Sequence, residues 1–162
     1  MKNKVKSIPD GFHTVTPSLV VKNAAAAIDF YKKALGAEER MRMASPDGKI
    51  MHAELKIGDS IIFLSDEFPQ GMGSSPQSLG GFSSSLNIYL DDVDTAFQRA
   101  IDAGGKSVMP VADQFWGDRY GAFTDPFGHQ WGIATHTEDL SQQETEERGR
   151  AFFAQMAQRK TA

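Results

Sequence analysis

The chain has 162 residues, of which 40% are hydrophobic and 23% are charged, with a formal net charge of −4 and no cysteine. This composition is typical of one globular domain or of two very small modules sharing a core, and it excludes disulfides, thiolate metal sites and cysteine nucleophiles. The acidic balance disfavours nucleic acid as a partner, and no apolar run or secretory signal is present, so we expect a cytoplasmic protein without a membrane partner.

Turn-forming residues and hydrophobic periodicity divide the chain into five parts. These are a flexible lead-in, a first βαβββ module, a linker, a second βαβββ module and a helical tail, at residues 1–13, 14–65, 66–82, 83–135 and 136–162. In the first module, alternation predicts a strand over Thr14–Val21 with Val15 towards the core. Asn23 is the predicted N-cap of a helix that Gly36 ends. The helix and three further strands are predicted at residues 24–35, 38–44, 50–57 and 60–65.

The second module repeats this order of elements, which indicates an internal duplication. Asp91 or Asp92 is the predicted N-cap of its helix. The predicted strand, helix and three closing strands lie at residues 83–90, 93–103, 106–111, 119–124 and 130–135. The segment Asp125-Pro-Phe-Gly128 predicts a tight turn, because proline fixes φ, aspartate can bond its own backbone and glycine tolerates positive φ. The module is therefore predicted to close in a hairpin.

The tail has a capping box formed by Ser141 and Glu144, which predicts a helix over residues 142–158. Phe152, Phe153 and Met156 lie near the end of this helix and need an apolar partner. They pack either on their own domain or at a subunit interface, and the sequence leaves both alternatives open.

Several segments together resemble the vicinal oxygen chelate superfamily, which contains glyoxalase I, bleomycin-resistance proteins and extradiol dioxygenases. The segments are Ala27–Gly36, Asp91–Asp94 with Ala103–Gly105, and Asp125–Trp131. Two more segments resemble the PhnB-like, glyoxalase-like bacterial subgroup, namely Pro46–Asp59 and Asp113–Arg119. The resemblance implies an α+β fold in which two tandem βαβββ modules form a cup-shaped mixed sheet, here with a C-terminal helix added. Members commonly dimerise, often with pockets built from modules of both subunits, so we expect a homodimer.

Metal-dependent members of this superfamily hold a divalent ion with His and Glu from the first and last strands of each module. Carried over by position, these ligands fall near four residues, Thr16, Phe63, Ser85 and Gly132. None belongs to a usual ligand set, so we expect no cofactor. The fallback is a divalent metal held by His52 and Glu54, which lie at i and i+2 on one strand face. The same two residues are candidates for catalysis as an acid–base pair, or form only a polar pair.

Strand alternation also predicts which side chains point into the cup. The candidate ligand-binding residues on the strands are Thr16, Ser18, Phe63, Ser85, Asn87, Tyr89 and Gly132. In the loop over residues 111–120, Phe115 and Trp116 offer stacking surfaces, and Arg119 could clamp an acidic group. Alternatively, the two rings plug the mouth of the cup and Asp118 forms a local ion pair with Arg119.

Three hypotheses for function follow from these residues. The first is a protein of the bleomycin-resistance kind that binds a small, aromatic or cationic molecule in the cup without the usual metal. The second is a metal-dependent lyase, isomerase or dioxygenase that uses His52 and Glu54. The third is a non-catalytic association or regulatory module whose tail helix mediates contacts.

Overall fold

The computed structural model describes residues 5–71 and 73–159 of the chain. The first module contains β1 (Ser18–Val21), α1 (Ala24–Leu35), β2 (Glu38–Ala44), β3 (Ile50–Ile57) and β4 (Ser60–Asp66). A short helix, α2 (Pro76–Leu79), lies between the modules. The second module contains β5 (Ser85–Tyr89), α3 (Val93–Asp102), β6 (Lys106–Asp113), β7 (Asp118–Thr124) and β8 (Gln130–His136), and α4 (Gln142–Arg159) follows it. The predicted α+β fold is confirmed.

The two modules have the same sheet topology, as the predicted duplication requires. The first forms sheet A with strand order β1-β4-β3-β2, and the second forms sheet B with order β5-β8-β7-β6. In each sheet the first and last strands of the module are parallel neighbours, and the other pairs are antiparallel. The register places Ser18 beside Phe63 in sheet A and Asn87 beside Gly132 in sheet B. These four residues mark equivalent points of the two modules.

The core lies between the sheets, where α1 and α3 pack against each other. Both helices bury alanines, which keep the helix surfaces narrow; these are Ala27 and Ala34 in α1 and Ala96 and Ala100 in α3. Arg99 of α3 donates from Nε to the carbonyl oxygen of Ala34 at 3.0 Å, so it satisfies a free carbonyl near the end of α1. The helices therefore hold the modules together.

The turn at Asp125 is a second joint between the modules. One carboxylate oxygen accepts from the backbone N–H groups of Phe127 and His129, both at 2.9 Å. The other accepts from the hydroxyl of Tyr31 in α1 at 2.6 Å and from Nε1 of Trp131 at 3.0 Å. Burial, followed by the neighbouring carboxylate of Asp125, raises the pKa of the Tyr31 hydroxyl. The predicted turn is confirmed, and it fastens β8 to the helix of the other module.

The first strand was predicted too long, because β1 begins at Ser18 and not at Thr14. Proline has no N–H to donate, and pairing starts only where the carbonyl of Pro17 accepts from the N–H of Phe63 at 2.8 Å. Val15 therefore lies outside the sheet and is 78% exposed, so its prediction as a core residue was wrong. Residues 1–4 of the predicted lead-in lie outside the described residues.

The predicted linker contains more structure than a loop, because α2 lies within it. Ser75 caps this helix, and both Ser75 and Pro76 are buried. Pro76 packs so closely on the turn that a Cβ added at Gly128 would lie 2.8 Å from it. The linker is thereby anchored to the Asp125 turn. Met72, in the same segment, lies outside the described residues.

The tail helix begins as predicted. The N–H of Glu144 donates to Oγ of Ser141 at 3.2 Å, and the N–H of Ser141 donates to the Glu144 carboxylate at 2.9 Å, which is the predicted capping box. Residues 160–162 of the tail lie outside the described residues. Among the described helices, none is long and apolar enough to cross a membrane.

Candidate functional site

Each sheet has a hollow on the face turned away from the helices. Hollow A, on sheet A, has a volume of about 600 Å³ and is closed by the linker. Its main lining residues are Ser18, Val20, His52, Phe63 and Ser65 from the strands, and Phe68, Leu79 and Phe82 from the linker. Hollow B, on sheet B, has a volume of about 340 Å³ and is lined by Asn87, Ile88, Tyr89, Trp116, Asp118, Tyr120 and Ala134. The hollows share no lining residue.

Volume alone does not select a site, because hollow A and a crevice of about 630 Å³ between β5 and the β3–β4 turn are both larger than hollow B. Hollow A also contains a buried carboxylate, Asp66, whose oxygens accept from the backbone N–H groups of Ala24 and Ile50. What distinguishes hollow B is a buried carboxylate that bonds aromatic side chains lining the same hollow. Asp118 is only 5% exposed, and its neighbours Tyr89, Trp116 and Tyr120 supply three rings. A buried charge held in a recess by specific partners is typical of a functional site.

Asp118 is the centre of a hydrogen-bond network in hollow B. One carboxylate oxygen accepts from the hydroxyl of Tyr89 at 2.8 Å and from Nε1 of Trp116 at 3.0 Å. The other lies 2.8 Å from Nδ1 of His136, whose Nε2 lies 3.0 Å from the carboxylate of Asp139. Asp118 therefore fixes the orientation of both rings and links them to the segment that follows β8.

The network shifts the pKa values of Asp118, Tyr89 and His136. Burial alone raises the pKa of Asp118, but the bonds from His136, Tyr89 and Trp116 outweigh it and hold that pKa below its usual value. The bond to Asp118 raises the pKa of Tyr89. Bonds to Asp118 and then to Asp139 raise the pKa of His136. Of the residues that line hollow B, Asp118 is the one with a charged side chain, while His136 and Asp139 lie outside the lining.

The raised pKa of His136 predicts a pH-dependent stability. The imidazolium donates to both carboxylates, so its contribution is complete below 6.5, the ordinary pKa, and is lost as the pH rises through the raised value. We expect the stability difference between the native protein and His136→Gln to be largest at pH 5.5 to 6 and to shrink towards pH 9. Urea unfolding across this range measures the difference, and a difference that grew with pH would contradict the assignment.

Gly132 decides whether the superfamily's metal centre fits this chain. A Cβ added to Gly132 would lie 1.9 Å from the side-chain oxygen of Asn87 and 2.6 Å from the hydroxyl of Tyr120. These two side chains fill the space that a carboxylate at this position would need. The equivalent residues of sheet A, Ser18 and Phe63, offer a hydroxyl and a phenyl ring. Phe63 and Gly132 thus pair with Ser18 and Asn87, whereas the positions predicted from the resemblance were Thr16 and Ser85. Neither set of residues fits a divalent metal.

The same crowding predicts the effect of a single methyl group. We expect Gly132→Ala to lower the free energy of unfolding by about 1–3 kcal/mol, because the surrounding side chains must move. Gly81→Ala is a matched control, since a Cβ there has no neighbour within 4 Å. Urea midpoints measure both changes, and the Asn87→Ala substitution should restore part of the loss in Gly132→Ala. Equal midpoints for Gly132→Ala and the native protein would contradict the contact.

His52 and Glu54, the predicted fallback for a metal, lie at hollow A: His52 lines it and Glu54 is its neighbour on β3. Nε2 of His52 is 3.8 Å from Oε1 of Glu54, and the other oxygen of Glu54 is 3.8 Å from Nη1 of Arg40. The His52 ring packs edge-on against Phe63 with centroids 4.7 Å apart. Within residues 5–71 and 73–159, no group of three or more His, Asp or Glu side chains is placed to hold one metal ion. The carboxylate of Glu54 thus lies between the His52 ring and the Arg40 guanidinium.

The structure brings together only some of the other predicted site residues. Asn87, Tyr89 and Trp116 line hollow B together. Thr16 precedes β1, and Ser85 is paired with Gln130, two residues before Gly132 on β8.

Arg119 points to the opposite face of β7. It donates to Asp94 of α3 at 2.6 and 2.7 Å and to Asp113 at 3.0 Å. The alternative of an Asp118–Arg119 ion pair was wrong, because these two neighbours lie on opposite faces.

Asp118, Tyr120 and His136 were missed as site residues. The predicted strand began at Arg119, so Asp118 was left in the preceding loop, whereas β7 begins at Asp118. With that start, alternation places Asp118 and Tyr120 on the same face as Asn87 and Tyr89 of the sheet. Had the predicted strand started one residue earlier, at Asp118, alternation would have placed this carboxylate on the face of hollow B.

The fold agrees with a family match over most of the chain. Residues 11–133 match the model of the Glyoxalase/Bleomycin resistance protein/Dioxygenase superfamily. The chain belongs to this superfamily.

Individual relatives refine that placement. An uncharacterised protein of Mycobacterium tuberculosis is 44% identical over 133 residues, which cover 80% of this chain and 78% of the relative. The crystal structure of TioX from Micromonospora sp. ML1 is similar with a TM-score of 0.62 and 26% identity, over 76% of this chain and 98% of TioX. The PhnB protein from Bacillus cereus shares the fold with a TM-score of 0.59 at 18% identity, over 76% of this chain and 99% of its own.

Proposed function

We propose that this protein binds a small organic cation with an aromatic part in hollow B, and that it does so without the superfamily's metal centre. The observation that carries the proposal is the buried carboxylate of Asp118, which holds Tyr89 and Trp116 beside a recess whose lining contains no cationic side chain. Aromatic faces attract cations through the ring quadrupole, and the attraction strengthens where water is excluded. Three rings over a carboxylate therefore favour a cation over an anion of the same size.

The exposure of the rings supports a role in binding rather than in packing alone. Tyr89 is 63% exposed although its hydroxyl is bonded to Asp118, so its ring is presented to the hollow in a fixed orientation. Trp116 is half-buried, and its ring lies 5.9 Å from that of Tyr120. Rings that are fixed before a ligand arrives lose little conformational entropy on binding.

Calorimetric titration with three small aromatic compounds, one cationic, one neutral and one anionic, tests the preference for a cation. We expect benzyltrimethylammonium to bind more tightly than neutral benzyl alcohol, and benzoate to bind most weakly. The expected difference between the cation and benzyl alcohol is about tenfold, the effect of one desolvated cation–π contact. Equal affinities for the three, or tighter binding of benzoate, would overturn the proposal.

The absence of a metal centre has its own test. Purified protein should contain substoichiometric zinc, nickel, iron and manganese by elemental analysis, and binding of benzyltrimethylammonium should be unchanged after treatment with a chelator. Stoichiometric metal that is lost in His52→Ala or Glu54→Ala would instead establish the metal-dependent alternative at the polar pair of sheet A.

We also propose that the protein is a homodimer. β2 is an edge strand of sheet A, and its Met41 and Met43 are 42% and 49% exposed, which leaves apolar surface beside unpaired backbone groups. Such edges favour association. Light scattering during size-exclusion chromatography measures the mass, and a monomer at micromolar concentration would contradict this part of the proposal.

A further inference from the structure

We infer that the C-terminal helix α4 is a positioning element for hollow B and acts through Phe115 on the ring of Trp116. The helix lies beyond residues 11–133, the part of the chain that matches the superfamily. The expected effect on ligand binding rests on the proposed function. The ring contacts between α4, Phe115 and Trp116 do not depend on it.

The contact of α4 with the rest of the protein centres on Phe115. The Phe115 ring packs against those of Phe152 and Phe153 with centroids 5.3 and 5.9 Å apart. Gly149 is the one residue of the helix that is buried, and a Cβ there would lie 3.1 Å from the Phe115 ring. A glycine inside a helix destabilises it, but at position 149 the missing side chain leaves room for the Phe115 ring. The helix thus meets the body through a fitted aromatic contact.

Phe115 transmits this contact to hollow B. Its ring lies edge-on to that of Trp116, with centroids 5.0 Å apart. Trp116 is in turn bonded to Asp118 and packs against Tyr120, both of which line the hollow. The rings of α4 and the wall of hollow B are therefore separated by the single ring of Phe115.

The backbone around these rings is clamped by the segment that leads to α4. The carbonyl of Gly117 accepts from the N–H groups of Thr137 and Glu138, both at 2.9 Å. Gly117 has a φ of +92°, and a Cβ there would lie 2.5 Å from the carbonyl oxygen of Glu138. Arg148 of α4 donates to the Glu138 carboxylate at 2.8 Å. The bonds to Gly117 hold the backbone of the loop, and Asp118 holds Nε1 of Trp116, so what Phe152 and Phe153 of α4 add is the packing of Phe115 against the Trp116 ring.

The test uses full-length protein labelled with 5-fluorotryptophan, which gives one fluorine resonance for Trp116 and one for buried Trp131. The Trp116→Phe variant assigns the two signals. We expect the combined Phe152→Ala/Phe153→Ala substitution to shift and broaden the Trp116 resonance while leaving that of Trp131 unchanged. Met156→Ala, which removes another exposed apolar side chain from the same helix, is the matched control and should leave both signals in place.

Binding of benzyltrimethylammonium gives the second readout. We expect the double variant to bind it about three- to tenfold more weakly than the native protein, since one wall of the recess is no longer fixed. An unchanged Trp116 resonance in the double variant would overturn the positioning role. A shifted resonance in a protein whose native form does not bind the probe would uphold the positioning role and remove the proposed function.

Discussion

Replacement of Asp125 by alanine is expected to lower the free energy of unfolding by about 4 kcal/mol or more. The substitution leaves four donors without their acceptor, two from the side chains of Tyr31 and Trp131 and two from the backbone of the turn. Each buried donor that loses its partner costs about 1–3 kcal/mol. A domain of this size has a total stability of only about 5–15 kcal/mol, so the loss is a large fraction of the whole.

Two further variants separate this effect from a general loss of charge. Tyr31→Phe removes one donor and leaves three, so we expect a smaller loss of about 1.5–3 kcal/mol. Asp91→Ala removes an exposed carboxylate from the chain and should change stability by less than about 0.5 kcal/mol. Urea unfolding followed by circular dichroism measures all three variants. If Asp125→Ala unfolded at the same urea concentration as Asp91→Ala, the Asp125 turn would not be the joint described above.

Replacement of Asp118 by asparagine is expected to weaken binding of benzyltrimethylammonium by about tenfold or more. The substitution removes the negative charge beneath the rings, and a charge pair at short range near a protein surface is worth several kcal/mol before desolvation. The amide oxygen can still accept from Tyr89 and Trp116, but its NH2 group then faces Nδ1 of His136, so the charge-assisted bond to the imidazolium is lost and we expect stability to fall by about 1–3 kcal/mol.

The control for this variant is Asp113→Asn, which removes the same charge from a nearby position. Asp113 pairs with Arg119 on the other face of the sheet and is 80% exposed. We expect it to leave both stability and probe affinity close to native values. Equal weakening by the two variants would show that the probe senses the overall charge of the protein and not the carboxylate in hollow B.

The fold was predictable because its signals are local and are repeated. The caps at Asn23, Asp92 and Ser141 and the glycine after α1 each satisfy backbone groups within a few residues, and all four are present in the structure. Where an interaction spans the chain, prediction failed. The start of β1 depends on Phe63, and no local pattern shows where that pairing begins.

The site was only partly predictable for the same reason. Strand alternation placed Asn87 and Tyr89 on the correct face, and Trp116 was found from its loop. Asp118 was not identified, because its role depends on His136 and Tyr89, which are 18 and 29 residues away in sequence. The Asp125 turn was prominent in the sequence, yet its contacts make it a structural joint rather than a binding site.

Binding in hollow B is tested most directly by a crystal structure of the protein with benzyltrimethylammonium. We expect the cation within about 6 Å of the centroid of the Trp116 ring, beside Tyr89 and above Asp118. A probe bound in hollow A, against Phe63 and His52, would contradict this expectation.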